Sequence, residues 1–302
     1  MFRNQSNNAG EIATSNSKIK AANEIHLKFV DDMTIAEAVK LKQDLVTVPL
    51  SSRPLPDMFH ARTGHSLPQS KSKVFQQLEK TLLYSEQNEM RINFSKTKLM
   101  LFNSSKTLDF MPEFTLEGQQ IELVSDVKLL GLHISSNMKW KRNTDIMIKK
   151  ASQRLWILRR LRSLGARSDS LKDIYIKQIR SVLEFGVPVW QGSITVDEKQ
   201  DIERVQKCAL HIILGRNYIS YKNALKVLNL EVLEARRVRL CLNFALKAEK
   251  HQKFKHWFKK PIKHYNTRNR AKYSEVFANH ARYAQSPLGY LTRLLNSHYN
   301  AK

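Results

Sequence analysis

The strongest constraint on the fold is a series of apolar residues that recurs every three or four positions between residues 143 and 215. This spacing places the apolar side chains on one face of each helix. Gly165, the segment FGVPVW at 185–190 and Gly215 interrupt the series, and such residues end helices. We therefore predict successive helices from residue 143 to about residue 250. Predicted N-caps stand at their starts: Asn143 or Thr144, Ser168, Thr195 in a capping box with Glu198, and Ser220.

The chain before residue 136 has a mixed pattern. Ile25, Leu27 and Phe29 recur at period two, which predicts a strand, and residues 33–35 can form the returning strand. The other predicted elements are helices over 36–46 and 73–89, a strand pair around 95–97, a hairpin turning at 117–118 and a strand over 126–135. Strands and helices in this order predict an α+β fold with a mainly helical second half.

Composition divides the chain into four parts. The first residues are rich in Asn and Ser, the segment 49–72 holds four prolines, and five of the nine tyrosines lie after residue 260. The tyrosines stand between arginines, which suits stacking on unpaired bases; anchoring in a core is the alternative. The predicted parts are a polar, disordered N-terminus (1–24), an α+β unit (25–135) with a long loop at 49–72, a helical domain (136–260) and a basic, Tyr-rich tail (261–302).

The net charge points to a polyanionic partner. The chain holds 51 Lys and Arg against 27 Asp and Glu, a formal charge of +24. Basic residues outnumber acidic ones 13 to 3 over 139–182 and 13 to 1 over 236–272, whereas residues 1–60 are balanced. Each basic side chain that pairs with a phosphate releases condensed counterions. We therefore expect RNA or DNA as partner.

The sequence also excludes several classes of protein. Two cysteines form neither a disulfide framework nor a zinc site, and no apolar run approaches the roughly 20 residues of a membrane span. The first residues lack the apolar core of a signal peptide. We expect an intracellular protein, nuclear or cytoplasmic.

Two adjacent aspartates, Asp31 and Asp32, follow the first predicted strand. Carboxylates at a tight hairpin turn project together, and such a pair can hold Mg²⁺ beside the end of a nucleic acid. The alternatives are a polar turn, or Asp32 as a helix N-cap. An aromatic residue, Phe29, two positions before the pair favours the metal-binding interpretation.

Several segments resemble, in order, the polymerase of non-LTR (LINE-like) retrotransposons. KFVDDMTI at 28–35 is similar to the aromatic-x-Asp-Asp motif of reverse transcriptases, and NEMRINFSKTKLMLF at 88–102 to the segment that follows it. VKLLGLHISSNMKW at 127–140 resembles the primer-gripping hairpin, and the later helical segments resemble the region after the polymerase. The resemblance covers residues 23 to about 250. It implies a truncated reverse-transcriptase palm followed by a helical thumb and C-terminal domain.

The resemblance implies roles for individual residues. Asp31 and Asp32 would be two of the catalytic, metal-coordinating carboxylates of the palm. Lys96 or Lys98 would lie near the phosphates of the incoming nucleotide, with a solvated strand edge as the alternative. Gly131 would allow close approach of a nucleic-acid backbone at the primer-grip turn, with a simple bulge as the alternative.

One part of the catalytic set has no counterpart in the sequence. Two-metal phosphoryl transfer needs a third carboxylate from an earlier palm strand, and residues 1–28 contain no aspartate. We expect the chain to be a C-terminal part of such an element and not to polymerise alone. Mg²⁺ would be bound only if the missing carboxylate were supplied. Primer extension on an RNA template tests this, because synthesis that is lost in an Asp31→Asn, Asp32→Asn variant would contradict it.

The helix predicted to begin near residue 143 carries a dense set of basic side chains. Its apolar stripe should pack inward and leave most of the basic groups outside. A solvated basic face is the alternative, but so dense a cluster favours contact with phosphates. The residues predicted to follow a nucleic-acid backbone are Trp140, Lys141, Arg142, Lys149, Lys150, Arg154, Arg159, Arg160 and Arg162.

Two further functions are alternatives. The first is a non-catalytic, basic nucleic-acid-binding protein, which the charge distribution alone supports. The second follows from a resemblance of the helical segment at 149–190 to a short N-terminal part of AlkB-type tRNA-modifying proteins. No histidine is followed two positions later by Asp or Glu, and the nine glycines are scattered singly, so the sequence has no Gly-rich loop. We therefore predict neither a dioxygenase iron site nor a methyltransferase site.

Overall fold

The fold is that of a computed structural model of the chain. The structure describes residues 24–28, 33–37, 58–60, 66–68, 73–102, 114–116, 118–261, 271–275 and 281–301. Two compact units are present, residues 1–125 and residues 126–302. Their described residues are mostly helical with short strands, which is compatible with the predicted α+β class in general. The hairpin at 126–135 belongs to the second unit, whereas we predicted a domain boundary after it.

The first unit consists of short strands and one helix. Its described elements are β1 (Glu24–Lys28), β2 (Met33–Glu37), β3 (Met58–His60), β4 (Ser66–Pro68), α1 (Lys73–Gln87), β5 (Lys98–Leu99), β6 (Phe114–Leu116) and β7 (Gln119–Leu123). Helix α1 and the β6–β7 hairpin agree with the predictions. The predicted loop 49–72 contains an antiparallel strand pair, β3 with β4.

Strands β1 and β2 pair antiparallel, with Lys28 opposite Met33. The predicted returning strand is therefore confirmed. The helix predicted over 36–46 is wrong at its start, because residues 36 and 37 continue the pairing with β1. The remainder of that helix lies outside the described residues, and so do Asp31 and Asp32.

The strand pair predicted around residues 95–97 does not form. The side chain of Asn93 accepts hydrogen bonds from the Ser95 hydroxyl at 2.6 Å and from the Lys96 amide at 3.2 Å. Asn side chains that bond the backbone ahead of them stabilise turns. Only the two residues of β5 remain extended, and they pair parallel with β7.

The second unit is a β-hairpin followed by helices. Its described elements are β8 (Asp126–Leu129), β9 (Leu132–Ser135), α2 (Lys141–Ser163), α3 (Ser168–Ile174), a π-helix (Tyr175–Arg180), α4 (Ser181–Leu183), α5 (Val187–Trp190), α6 (Val196–Leu214), α7 (Tyr221–Val227), α8 (Leu233–Lys250), α9 (Ala281–Ala284) and α10 (Pro287–Asn300). One apolar core joins them, and its largest fully buried apolar side chains include Trp190, Leu158, Ile202 and Leu210.

The helix ends follow the sequence signals in part. Thr195 and Glu198 form the predicted capping box, and the Ser220 hydroxyl accepts a hydrogen bond from the Asn223 amide. Gly165 follows α2 with a φ of +82°, as expected for a C-terminal glycine. The prediction for Ser168 is wrong, because α3 begins with Ser168 and Arg167 takes the N-cap position.

Residues predicted as a tail form part of the core. Helix α10 packs against α8 and α5, and its Leu291 and Leu295 are buried. The sequence gives little sign of this helix, because the segment before it is rich in polar and basic residues. The prediction of a basic tail is wrong for residues 281–301.

Three side chains of the predicted tail converge on Glu249 of α8. The carboxylate accepts hydrogen bonds from Lys272 Nζ at 2.9 Å, from the Tyr299 hydroxyl at 2.8 Å and from the Tyr273 hydroxyl. Tyr273 is buried, and burial together with the Glu249 carboxylate raises the pKa of its hydroxyl to about 12. For Tyr273 and Tyr299 the interpretation as core anchors, rather than as base-stacking residues, is therefore the correct one.

Candidate nucleic-acid interface

The β8–β9 hairpin ends in a two-residue turn. Leu129 pairs with Leu132, and Leu130 and Gly131 between them have φ values of +48° and +85°. Two positive φ values in succession are typical of the type I′ turns that favour hairpins. A Cβ atom on Gly131 would lie 3.0 Å from Cε1 of Phe185. The predicted turn is thus present, and its backbone lies directly against an aromatic ring.

Asn143 fixes the hairpin to helix α2. Its buried side-chain oxygen accepts a hydrogen bond from the backbone amide of His133 at 3.1 Å. The predicted role of Asn143 or Thr144 as N-cap is wrong, because α2 begins at Lys141 and both residues lie inside its first turn. The Thr144 hydroxyl instead donates to the carbonyl oxygen of Trp140 at 3.0 Å.

A groove of about 400 Å³ lies between the hairpin, α2 and α4. We call it the basic groove, because cationic side chains from separate elements line it. Among the described residues that line it, none is acidic. Its lining includes Lys128, Leu132, His133, Lys150, Arg154 and Phe185.

The cationic side chains of the basic groove differ in exposure and in hydrogen bonding. Lys128 and Lys150 are exposed, whereas Arg154 is half-buried and donates from Nη1 to the carbonyl oxygen of Gln178 in the π-helix. Phe185 has 53% of its surface exposed beside these charges. The groove therefore combines exposed ammonium groups, a guanidinium held by a hydrogen bond and an accessible ring.

His133 lies among the positive charges of the groove, and its pKa is lowered. It is lowered from its ordinary value by burial and then by the positive charges of Lys150, Lys128 and Arg142, while Asp126 opposes them. Burial and positive neighbours both disfavour the imidazolium form. These effects therefore favour the neutral imidazole of His133 where positive charge is already concentrated.

Only some of the residues predicted to contact nucleic acid lie together. Gly131, Lys150 and Arg154 line the basic groove. Trp140 was predicted to contact nucleic acid, but it is only 7% exposed and belongs to the core. Lys149, Arg159 and Arg160 are exposed on α2 but do not line the groove.

Other predicted residues have local partners or lie elsewhere. Lys141 pairs with Asp145 at 2.9 Å on the same helix, and Arg142 is exposed near His133. Lys96 is exposed in a turn of the first unit, where Lys98 forms an ion pair with Glu122 of β7. Such exposed pairs leave part of each charge available to solvent.

Arg162 has a structural role that the sequence analysis did not foresee. Its guanidinium donates to the carbonyl oxygens of Ile212 and Ile213, the latter at 2.6 Å. These carbonyls belong to the last turn of α6, where helices leave acceptors without partners. Arg162 therefore caps a neighbouring helix instead of contacting a phosphate.

Sequence reasoning missed Lys128, His133 and Phe185. Lys128 and His133 face each other across the hairpin, and the prediction treated residues 126–135 as one strand from the pattern alone. Phe185 was assigned only to a helix break. The signal available in the sequence was an aromatic residue directly before Gly186.

Among the described residues, no His, Cys, Asp and Glu side chains form a group of three or more that could hold a metal ion. No helix within the described part of the chain is long and apolar enough to cross a membrane. No family model matches the sequence, and no curated protein or solved structure does so either.

Proposed function

We propose that this chain binds nucleic acid through the basic groove, as the palm-end and thumb part of a non-LTR retrotransposon reverse transcriptase. The ordered resemblance of the segments between residues 23 and 250 supports the ancestry. In this proposal the first unit is the end of the palm, and the second unit begins with the primer-gripping hairpin and continues as the thumb. Asp31 and Asp32, the pair to which the resemblance assigns metal binding, belong to the ancestry part of the proposal.

The basic groove carries the binding proposal. It brings Lys128 of the hairpin, Lys150 of α2 and the ring of Phe185 to one concave surface. Lysines contact phosphates as compact, mobile charges, and an exposed ring can stack on a base. The turn at Gly131 places its backbone directly against the Phe185 ring, so both contribute to the lining of the groove. These groups recognise a nucleic-acid backbone, and a base at the end of a strand can stack on Phe185.

Reversing one charge in the groove should weaken binding. We expect Lys150→Glu to weaken binding of a labelled RNA–DNA hybrid about tenfold, because a charge-assisted phosphate contact is replaced by repulsion. The measurement is fluorescence anisotropy at salt concentrations between about 50 and 200 mM, where the slope of log affinity against log salt should become shallower by about one contact.

Lys149→Glu is the matched control. Lys149 is the neighbouring residue on α2, equally basic and exposed, but it does not line the groove. A much smaller loss in this variant places binding in the groove. Equal losses in both variants would show diffuse attraction to the whole basic surface, and absence of binding by the unaltered chain at low salt would refute the proposal.

Binding should also depend on pH through His133. In the free chain, burial and the charges of Lys150, Lys128 and Arg142 lower its pKa, with Asp126 opposing. A bound phosphate adds negative charge and raises that pKa, so binding takes up a proton. Affinity should therefore rise as the pH falls through the pKa of the bound state, by up to tenfold for each unit of pKa difference between the bound and the free chain. His133→Gln should lose this increase, and an unchanged pH profile in that variant would contradict the assignment.

A further inference from the structure

A second aromatic and basic surface follows helix α8. Residues 250–260 read KHQKFKHWFKK, with five lysines, two histidines, three large aromatic residues and no acidic residue. The five lysines are all exposed: Lys250, Lys253, Lys255, Lys259 and Lys260. None of the residues that line the basic groove comes from this segment. We call the four adjoining rings of His251, Phe254, His256 and Trp257 the ring cluster.

The rings of the cluster touch one another in sequence. The centroids of His251 and Phe254 lie 4.9 Å apart, and those of Phe254 and Trp257 lie 4.8 Å apart. His256 packs edge-on beside Trp257 at 6.4 Å. Phe254 and Trp257 each keep 36% of their surface exposed. The cluster is therefore a continuous aromatic surface that is open to solvent on one side.

The backbone that carries the rings is held by a buried aromatic contact and by hydrogen bonds within the turn. Phe258 is 5% exposed and packs against the buried ring of Tyr273, with the centroids 5.6 Å apart. The Lys255 amide donates to the His251 carbonyl at 2.9 Å, and the Trp257 amide donates to the Phe254 carbonyl at 2.9 Å. These bonds hold the turn, so the exposed rings are ordered before any ligand binds. An ordered surface loses little conformational entropy on binding.

The surrounding charge selects the ligand. Five exposed ammonium groups without a neighbouring carboxylate in the segment match a polyanion. Exposed aromatic rings among such charges are the arrangement on which unpaired bases stack while lysines contact the phosphates between them. A duplex hides the faces of its bases, so it can use only the lysines.

A membrane surface fits the segment less well. Peripheral membrane binding depends on an apolar face that enters the lipid. Residues 250–260 contain no Leu, Ile, Val or Met, and Phe258, one of the three large aromatics, is buried in the core. The exposed parts of Phe254 and Trp257 are about one third of each side chain, which suits stacking on a flat base better than insertion.

We infer that the ring cluster and its lysines form a second binding site, which takes single-stranded nucleic acid by stacking unpaired bases on Phe254 and Trp257. This site goes beyond the proposed function of the basic groove and does not require it. A groove for a backbone and a separate platform for unpaired bases allow one chain to bind a junction between paired and unpaired strands.

The test uses the full chain and three labelled probes. They are an oligothymidylate of about 20 nucleotides, an abasic oligomer of the same length that keeps the phosphates, and a duplex. Trp257→Ala should weaken oligothymidylate binding about tenfold and leave binding of the abasic oligomer within about twofold. Trp257→Phe should retain most of the affinity, because it keeps a ring.

Two variants serve as controls. Phe244→Ala removes an aromatic side chain of similar exposure, 38%, from α8 outside the ring cluster, and should change no affinity. Lys150→Glu should weaken duplex binding and leave the oligothymidylate preference over the abasic oligomer, which separates failure of the groove from failure of the ring cluster. Circular dichroism and thermal unfolding confirm that each variant is folded.

Three results would overturn the inference. They are equal losses for the oligothymidylate and the abasic oligomer in Trp257→Ala, no loss for either, or a loss in Phe244→Ala as large as that in Trp257→Ala. Binding to vesicles that contain phosphatidylserine, lost in Trp257→Ala while oligothymidylate affinity is unchanged, would assign the surface to membranes instead.

Discussion

Trp190→Ala is expected to lower the free energy of unfolding by about 3–5 kcal/mol, the usual cost of removing a large buried aromatic side chain. Trp190 has no exposed surface, and its indole Nε1 donates to the carbonyl oxygen of Phe185 at 2.8 Å. The substitution leaves a cavity beneath α5 and also leaves that carbonyl without its partner. Urea denaturation, followed by far-UV circular dichroism, measures the change.

Trp156→Ala is the matched control for this prediction. The same side chain is removed, but Trp156 lies on the outer face of α2 with 65% of its surface exposed. Its removal should change the free energy of unfolding by no more than about 0.5 kcal/mol. Similar losses in the two variants would contradict the packing described here.

Gly186→Ala is expected to lower the free energy of unfolding by about 2–4 kcal/mol, from two separate causes. Gly186 has a φ of +65°, which costs energy for any residue with a Cβ atom. The added Cβ would also lie 2.8 Å from Cδ2 of Leu132, which lines the basic groove. Relief of this clash requires the Leu132 side chain, or the hairpin that carries it, to shift, so binding to nucleic acid should weaken together with stability.

Gly165→Ala separates the two causes. Its φ is +82°, but an added Cβ meets nothing within 4 Å. This variant should therefore show only the backbone cost of about 1–2 kcal/mol and no effect on binding. Equal effects of the two substitutions on stability and binding would show that the hairpin does not rest against Gly186 as described.

Local signals in the sequence predicted the helices well. The capping box at Thr195, the cap at Ser220 and the breaks at Gly165 and Gly215 depend on residues a few positions apart. The turn at 117–118 was predicted for the same reason. Such signals act within one element, so they can be recognised without knowledge of the tertiary structure.

Tertiary contacts decided the features that the sequence analysis missed. Asn is a common N-cap residue, but the side chain of Asn143 instead accepts a hydrogen bond from the backbone amide of His133. Trp140 stands among lysines and arginines in the sequence, yet it packs in the core. Helix α10 depends on contacts with α8 and α5, which are distant along the chain. A local pattern cannot rank such competing partners.

The candidate site was predicted only in outline. The excess of basic residues over 139–182 indicated a polyanion, but it did not show which cations share a surface. Lys149 and Lys150 are adjacent lysines that contribute equally to the net charge, but only Lys150 lines the groove. Arg162 contributes to the charge, while its donors are bound to carbonyl oxygens of α6. The direction of each side chain depends on where the apolar stripe of α2 meets its neighbours.

Helix α3, the π-helix at Tyr175–Arg180 and α4 follow one another without a break. The π-helix therefore sets the direction in which the side chains of α4 point. An α-helix turns about 100° per residue, and a π-helical turn accommodates an additional residue. A helical wheel drawn continuously through 168–183 therefore assigns the residues after 180 to the wrong side. Ser181 and Val182 line the basic groove in this phase, and Phe185 follows them. Loss of a single residue from this segment would rotate that wall of the groove by roughly a quarter turn without altering any side chain in it.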